Sequence, residues 1–177
     1  MIILGIDPGS RKTGFGIIKI VGNKFHYIDS GIIRFDHIDL FLDRLAVVYE
    51  KTIELIDVYN PTEVAVESLI YVKSPTALMK LAQARGAMIA AFNKTHQGRI
   101  FEYSPNLIKS TTTGHGHANK ESVQKFLRMI LGPREFKTHD ESDALAIAIC
   151  HALRSGPLQR PMTRSSKQAK NSLSNSL

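Results

Sequence analysis

The first 35 residues hold three strand-like segments spaced so closely that no helix fits between them, and this constrains the fold most. Ile2-Ile3-Leu4-Gly5-Ile6 is a short apolar run closed by Asp7-Pro8-Gly9-Ser10, the pattern of a buried strand meeting a turn. Gly14-Phe15-Gly16-Ile17-Ile18-Lys19-Ile20 follows closely enough to return as its antiparallel neighbour. Val21-Gly22-Asn23-Lys24 then turns the chain into a third strand over Phe25–Phe35. After that the period changes. Leu42, Leu45, Tyr49, Ile53 and Ile56 recur at three- and four-residue steps, predicting an amphipathic helix that stops before Asn60-Pro61. Val64-Ala65-Val66, within Glu63–Glu67, is a short buried strand. Ser74-Pro75 opens a second helix running to about Lys94, with Leu78, Leu81, Ala82, Arg85, Ile89 and Phe92 on one side. Arg99–Tyr103 is a fifth strand. Asn119 caps a helix through Leu131, and Thr138-His139-Asp140-Glu141 matches a capping box that opens a last helix to about Arg154. Three meandering strands followed by helix–strand alternation predict an α/β fold, a mixed five-stranded sheet with helices on both faces.

Composition narrows the class. A chain of 177 residues, 43% hydrophobic and 22% charged, has the make-up of one globular domain and not of a disordered or fibrous protein. Its longest apolar run, Ala144–Cys150, falls far short of the roughly 18 residues of a membrane span. Asp7 interrupts the opening run before a signal-peptide pattern can form, and the single Cys150 makes neither a disulfide nor a cysteine zinc site. These features lead us to expect a cytoplasmic protein with no membrane partner. Ser155–Leu177 carries Arg160, Arg164, Lys167 and Lys170, six serines and no acid, and reads as a disordered basic tail behind a domain of residues 1–154. The net charge of +7 points to a polyanionic partner such as nucleic acid.

Four carboxylates stand out. Asp7 and Glu67 each end a buried apolar strand, where a charge is costly unless something compensates it. Asp140 and Asp143, three apart, share one face in the first turn of the last helix, and that face continues into the apolar Ala144 and Ile147 and then His151. Acids in a first turn also stabilise a helix without doing chemistry, and strands commonly end on polar residues at solvent. If the helix start packs over the strand ends, the four acids meet, and divalent cations would relieve their repulsion. Oxygen donors of this kind suit Mg²⁺. Two such ions about 4 Å apart are an arrangement used for phosphodiester displacement.

Several segments together resemble the RuvC Holliday-junction resolvases: Ile3-Leu4-Gly5-Ile6-Asp7-Pro8-Gly9-Ser10-Arg11 through Thr13-Gly14-Phe15-Gly16, Val66-Glu67, Leu81-Ala82-Gln83-Ala84-Arg85-Gly86, and Asp140-Glu141-Ser142-Asp143-Ala144-Leu145-Ala146-Ile147-Ala148. The resemblance spans residues 1 to about 154 in order and spacing. It implies an RNase H-like fold, a homodimer, and Mg²⁺-dependent paired nicking of opposed strands in a four-way DNA junction, with two ions per site and Mn²⁺ able to substitute. The family's metal-binding acids fall on Asp7, Glu67, Asp140 and Asp143, and its two lysines near the scissile phosphate on Lys109 and Lys120. The branch-migration complex RuvA–RuvB is implied as a partner.

The candidate DNA contacts are Ile70, Tyr71, Lys73, Arg85, His115 and His117. The segment Thr111-Thr112-Thr113-Gly114-His115-Gly116-His117 is expected to be a polar, DNA-facing loop, since relatives carry a similar glycine-containing loop there. A His-x-His step without a third ligand is poor grounds for zinc. His139 adjoins Asp140, and some relatives use histidine in this site, but Asp140 keeps the three-residue step to Asp143. The family's stacking aromatic, three positions after the site glutamate, is here Ile70, with Tyr71 next. Either an apolar wedge replaces stacking or the loop shifts by one. The rival readings are an RNase H-like RNA-processing nuclease and a non-catalytic junction-binding module. An actin-type ATPase would need a second lobe and a second phosphate loop, and 177 residues contain neither.

Overall fold

The computed structural model describes residues 1–69, 74–114, 116 and 119–155. The expected calls on Ile70, Tyr71, Lys73, His115, His117 and the basic segment 156–177 therefore lie outside the described residues. Ten elements follow in order: β1 (Ile2–Asp7), β2 (Lys12–Val21), β3 (Lys24–Arg34), α1 (Phe41–Tyr59), β4 (Glu63–Glu67), α2 (Pro75–Asn93), β5 (Ile100–Tyr103), α3 (Pro105–Thr113), α4 (Lys120–Leu131) and α5 (His139–Ser155). The five strands form one sheet in the order β3-β2-β1-β4-β5. β1, β2 and β3 pair antiparallel, while β4 lies parallel to both β1 and β5. The mixed sheet expected from the strand spacing is present, with helices on both faces. Among the described residues no helix is long and apolar enough to cross a membrane.

One face carries α1 and α2 over Leu4, Ile6, Ile17, Val64 and Val66; the other carries α3, α4 and α5 over Ile3, Ile18 and Ala65. α5 lies between the sheet and the α3–α4 pair, so every residue from Ala144 to Ala152 is buried. That burial on all sides explains an apolar run that no single-faced helix would need.

The structure changes the reading in three places. Thr111–Thr113 are not in a loop: α3 occupies Pro105–Thr113, with Ile108 and Thr112 buried. Its start is the same Ser-Pro signal that marks α2. Ser104 accepts a hydrogen bond from the Leu107 N–H at 3.3 Å, as Ser74 does from Ala77. In α1 the buried face is Arg44, Val48, Thr52, Leu55 and Ile56, and Leu42 stays exposed. The apolar pattern missed two polar members of that face. Arg44 donates to the carbonyls of Ser10 and Ile38, and Thr52 to that of Val48. Similarly, α2 buries Ala84, Met88, Ala91 and Phe92, while Ala82 faces out and Leu78, Leu81, Arg85 and Ile89 are half-buried.

Candidate active site

β1 and β4 run parallel with Ile6 opposite Val66, so Asp7 and Glu67 leave adjacent strands at the same edge of the sheet. On the other side of β1, Asp7 pairs with Gly14 and Gly5 with Gly16. These glycines form a seat for α5. A Cβ on Gly14 would stand 2.1 Å from the carbonyl oxygen of Asp140, one on Gly5 2.1 Å from that of Ala144, and one on Gly16 2.7 Å from the Leu145 nitrogen. Side chains there would hold the helix off. Without them its first turn comes down beside Asp7, bringing Asp140 and Asp143 with it.

The electrostatics report how tightly the acids gather. Burial, then the neighbouring Glu67, Asp143 and Asp140, push the Asp7 carboxyl up to about 8, against a smaller pull from Lys120. Glu67 is raised by burial and Asp143, and lowered in part by Lys109, Lys120 and a hydrogen bond with Asp7. Burial also raises Asp143, with Lys120 pulling the other way. Lys120, at the first position of α4, stands 3.5 Å from Asp143 Oδ2. All six residues expected to carry chemistry therefore meet at one end of the sheet. His139 is exposed and near enough to Asp143 to favour its charged form.

Lys12, which nothing in the sequence pattern singled out, pairs with Asp140 from the start of β2. Only the fold brings the two together. Arg85 lies beneath the cluster: its Nε donates to the Glu67 carbonyl at 3.3 Å and its guanidinium pairs with Glu102 at 3.0 Å. With a side chain 16% exposed, it braces β4 against β5 and α2. Gln124 on α4 donates to Ser142 on α5 at 3.4 Å, and so sets Lys120, one turn earlier, over Asp143.

Four carboxylates supply hard oxygen donors alone, the set preferred by Mg²⁺ and similar cations. Burial and three neighbouring acids raise Asp7 more than Lys120 lowers it, and a bound cation would favour its charged form. Among the described residues, no three acid, histidine or cysteine side chains are poised to hold a metal ion as they stand. Two of the acids are instead paired with Lys12 and Lys120. The donor set fits a divalent cation, and the lysine contacts would have to yield to one.

The chain as a whole is similar to known proteins. The crossover junction endodeoxyribonuclease RuvC family profile matches residues 3–151. A crossover junction endodeoxyribonuclease RuvC of Legionella pneumophila (strain Philadelphia 1) is 45% identical over 152 residues, 85% of this chain and 86% of that one. One from Histophilus somni is 46% identical over 152 residues, 85% of this chain and 79% of that one. The fold superimposes on Thermus thermophilus RuvC, solved in complex with a Holliday junction substrate, with a TM-score of 0.79 and 30% identity over 86% of this chain and 93% of that one. Motif, fold and relatives agree, and this chain belongs to the RuvC family of crossover junction endodeoxyribonucleases.

Proposed function

We propose that this protein is a Holliday-junction resolvase, a metal-dependent endonuclease that nicks opposed strands of a four-way DNA junction in recombination and repair. The observation that carries it is the half-buried cluster of Asp7, Glu67, Asp140 and Asp143 at one end of the sheet, where burial and then the neighbouring acids push Asp7 up to about 8, with Lys12, Lys109 and Lys120 around it. Four carboxylates brought together at one point suit the seat of a cation that meets a phosphate. Asp7, Glu67, Asp140 and Asp143 would hold Mg²⁺, two ions per site with Mn²⁺ able to substitute. When bound, the ions supply an activated water and stabilise the leaving oxygen.

The protein's own groups do the rest. The glycine seat fixes α5, so the Asp140 and Asp143 carboxylates are oriented before substrate arrives. Lys109 and Lys120 place ammonium groups beside the acids, where they offset the charge of a phosphate that the carboxylates would otherwise repel. The sequence departure at Ile70 and Tyr71 bears on base stacking, and residues 155–177 supply a basic segment that we assign to nonspecific DNA contact outside the catalytic domain 1–154. Family membership supports reading the protein as a cytoplasmic enzyme with RuvA–RuvB as its branch-migration partner.

A four-way junction has approximate twofold symmetry, and one acidic site makes one incision, so paired nicks call for a symmetric homodimer. The outward side of α2 supports that assembly, with Met79 57% exposed and Leu78 half-buried beside it.

The deciding experiment offers a synthetic four-way junction, linear duplex and linear RNA to the protein in Mg²⁺. Paired symmetric nicks in the junction alone are expected, with Asp7→Asn silent in cleavage yet still binding the junction in Ca²⁺. Cutting of linear RNA in preference to the junction would instead make it an RNA-processing nuclease. Tight junction binding without any nick at saturating Mg²⁺ would make it a binding module.

A further inference from the structure

Between the two acids of α5 lies a third, Glu141, which the cluster does not include. It is buried, at 7% exposure, and both its oxygens are engaged. Oε1 accepts a hydrogen bond from the Ser30 hydroxyl on β3 at 2.6 Å, and Oε2 accepts from the Lys137 backbone N–H at 2.9 Å. The Glu141 N–H in turn donates to the Thr138 hydroxyl at 3.3 Å. A capping-box glutamate ordinarily reaches back to the cap residue's own N–H. This one reaches one residue further, to the connection from α4, and gives its other oxygen to the edge strand.

β3 is built to meet it. The register slips between Ile17 and Ile18, which face Asp29 and Tyr27, leaving Ile28 as an extra residue. In a regular strand without this bulge, Tyr27 and Ser30, three residues apart, would point to opposite faces of the sheet. With it, both face α5, and the Tyr27 hydroxyl lies 3.0 Å from Ser30 Oγ. Asp29 is turned to the other face, where the Tyr59 hydroxyl donates to it. The Arg134 guanidinium, from the α4–α5 connection, lies 3.7 Å from the centre of the Tyr27 ring. Adding one more carboxylate to a crowded acidic turn is unfavourable for the cluster, and small side chains would cap the helix at less electrostatic cost. What the carboxylate alone provides is two acceptors aimed at two different elements.

We propose that Glu141, aimed by Ser30 across the β3 bulge, is a positioning residue: it locks the first turn of α5 so that Asp140 and Asp143 present their carboxylates to a divalent cation, without itself being a ligand. The idea rests on reading those acids as the cation site. Groups that orient metal ligands typically change metal affinity about 10-fold or more when removed.

The test uses the full chain with Ser30→Ala, Ser30→Thr and Glu141→Gln, and Asp143→Asn as a control. Mn²⁺ is titrated into DNA-free protein and followed by electron paramagnetic resonance. Melting temperature, junction affinity in Ca²⁺ and the Mg²⁺ dependence of junction cleavage are measured on the same samples. Ser30→Ala and Glu141→Gln should weaken Mn²⁺ binding and raise half-saturating Mg²⁺ about 10-fold, with junction affinity unchanged and Ser30→Thr close to wild type. Ser30→Ala with wild-type Mn²⁺ affinity would overturn the proposal. So would a fall in melting temperature and rate with the metal dependence unmoved, or a Ser30→Thr no better than Ser30→Ala. If Asp143→Asn itself binds Mn²⁺ and cleaves like wild type, the reading of the acids as the cation site fails, whatever Ser30 does.

Discussion

A carboxyl pushed to about 8 keeps its proton through neutral pH, so the folded protein without a divalent cation holds Asp7 uncharged. Because the folded value lies above the ordinary 3.8, this proton binding favours folding fully below about pH 4. The contribution is lost as pH rises towards 8. Asp7→Asn mimics the protonated acid at every pH. In EDTA it should melt above wild type by about 5 °C at pH 8.5, with the gap closing at pH 5. Mg²⁺ should raise the wild type towards it. Equal melting temperatures at pH 8.5 in EDTA would remove the repulsion from the account. Lys12 sits on the other side of the same balance, its ammonium already paired with Asp140. Lys12→Ala should lower half-saturating Mg²⁺ about two- to fivefold, the scale of one partly exposed ion pair. Unchanged or higher Mg²⁺ demand would show that the pair does not compete with the cation.

At the scale of elements, the site depends on how close α5 can come to β1 and β2. Gly14 decides that distance at Asp140, where an added Cβ would meet backbone and not a yielding side chain. Gly14→Ala should therefore destabilise the fold by about 1–3 kcal/mol. It should also slow cleavage about 100-fold, as expected from a displacement near 1 Å, while junction affinity in Ca²⁺ changes far less. Cleavage at the wild-type rate by a folded Gly14→Ala would mean that α5 is not the element that sets the acids. The helix starts were legible from Ser74-Pro75, Asn119 and Thr138, because an N-cap is a local hydrogen bond between near neighbours. α3 carried the same mark at Ser104-Pro105, and its short apolar content hid it. The faces of α1 and α2 were less legible, since each packs on the sheet and on its neighbour at once.

For the whole molecule, the substrate's symmetry sets the requirement and the surface shows where it can be met. Leu40, Leu42 and Met79 stay exposed, and the Lys80 ammonium lies 5.5 Å from the centre of the Phe41 ring, so the starts of α1 and α2 adjoin. Large apolar side chains left together at the surface mark an interface more often than a solvated face. Met79→Asp should shift sedimentation from dimer to monomer and turn paired nicks into single, uncoordinated ones, with each site still able to cut. A Met79→Asp protein that sediments as wild type would overturn this surface as the contact of the proposed dimer.

The order of the strands, every helix except α3, and the four candidate acids could be read from the chain alone, because each rests on near neighbours: an apolar run ended by Asp7 or Glu67, a cap at Thr138, two acids three apart. Tertiary structure decided the rest. Lys12 meets Asp140, and Ser30 meets Glu141 across 111 positions of chain, only because the strand order β3-β2-β1-β4-β5 lays those segments side by side. Buried polar groups such as Arg44 and Glu141 escape a hydropathy pattern, since what makes them tolerable is a partner far along the chain. The raised Asp7 likewise belongs to its burial in the fold and then to the gathering of the other three carboxylates, and to no one segment of sequence.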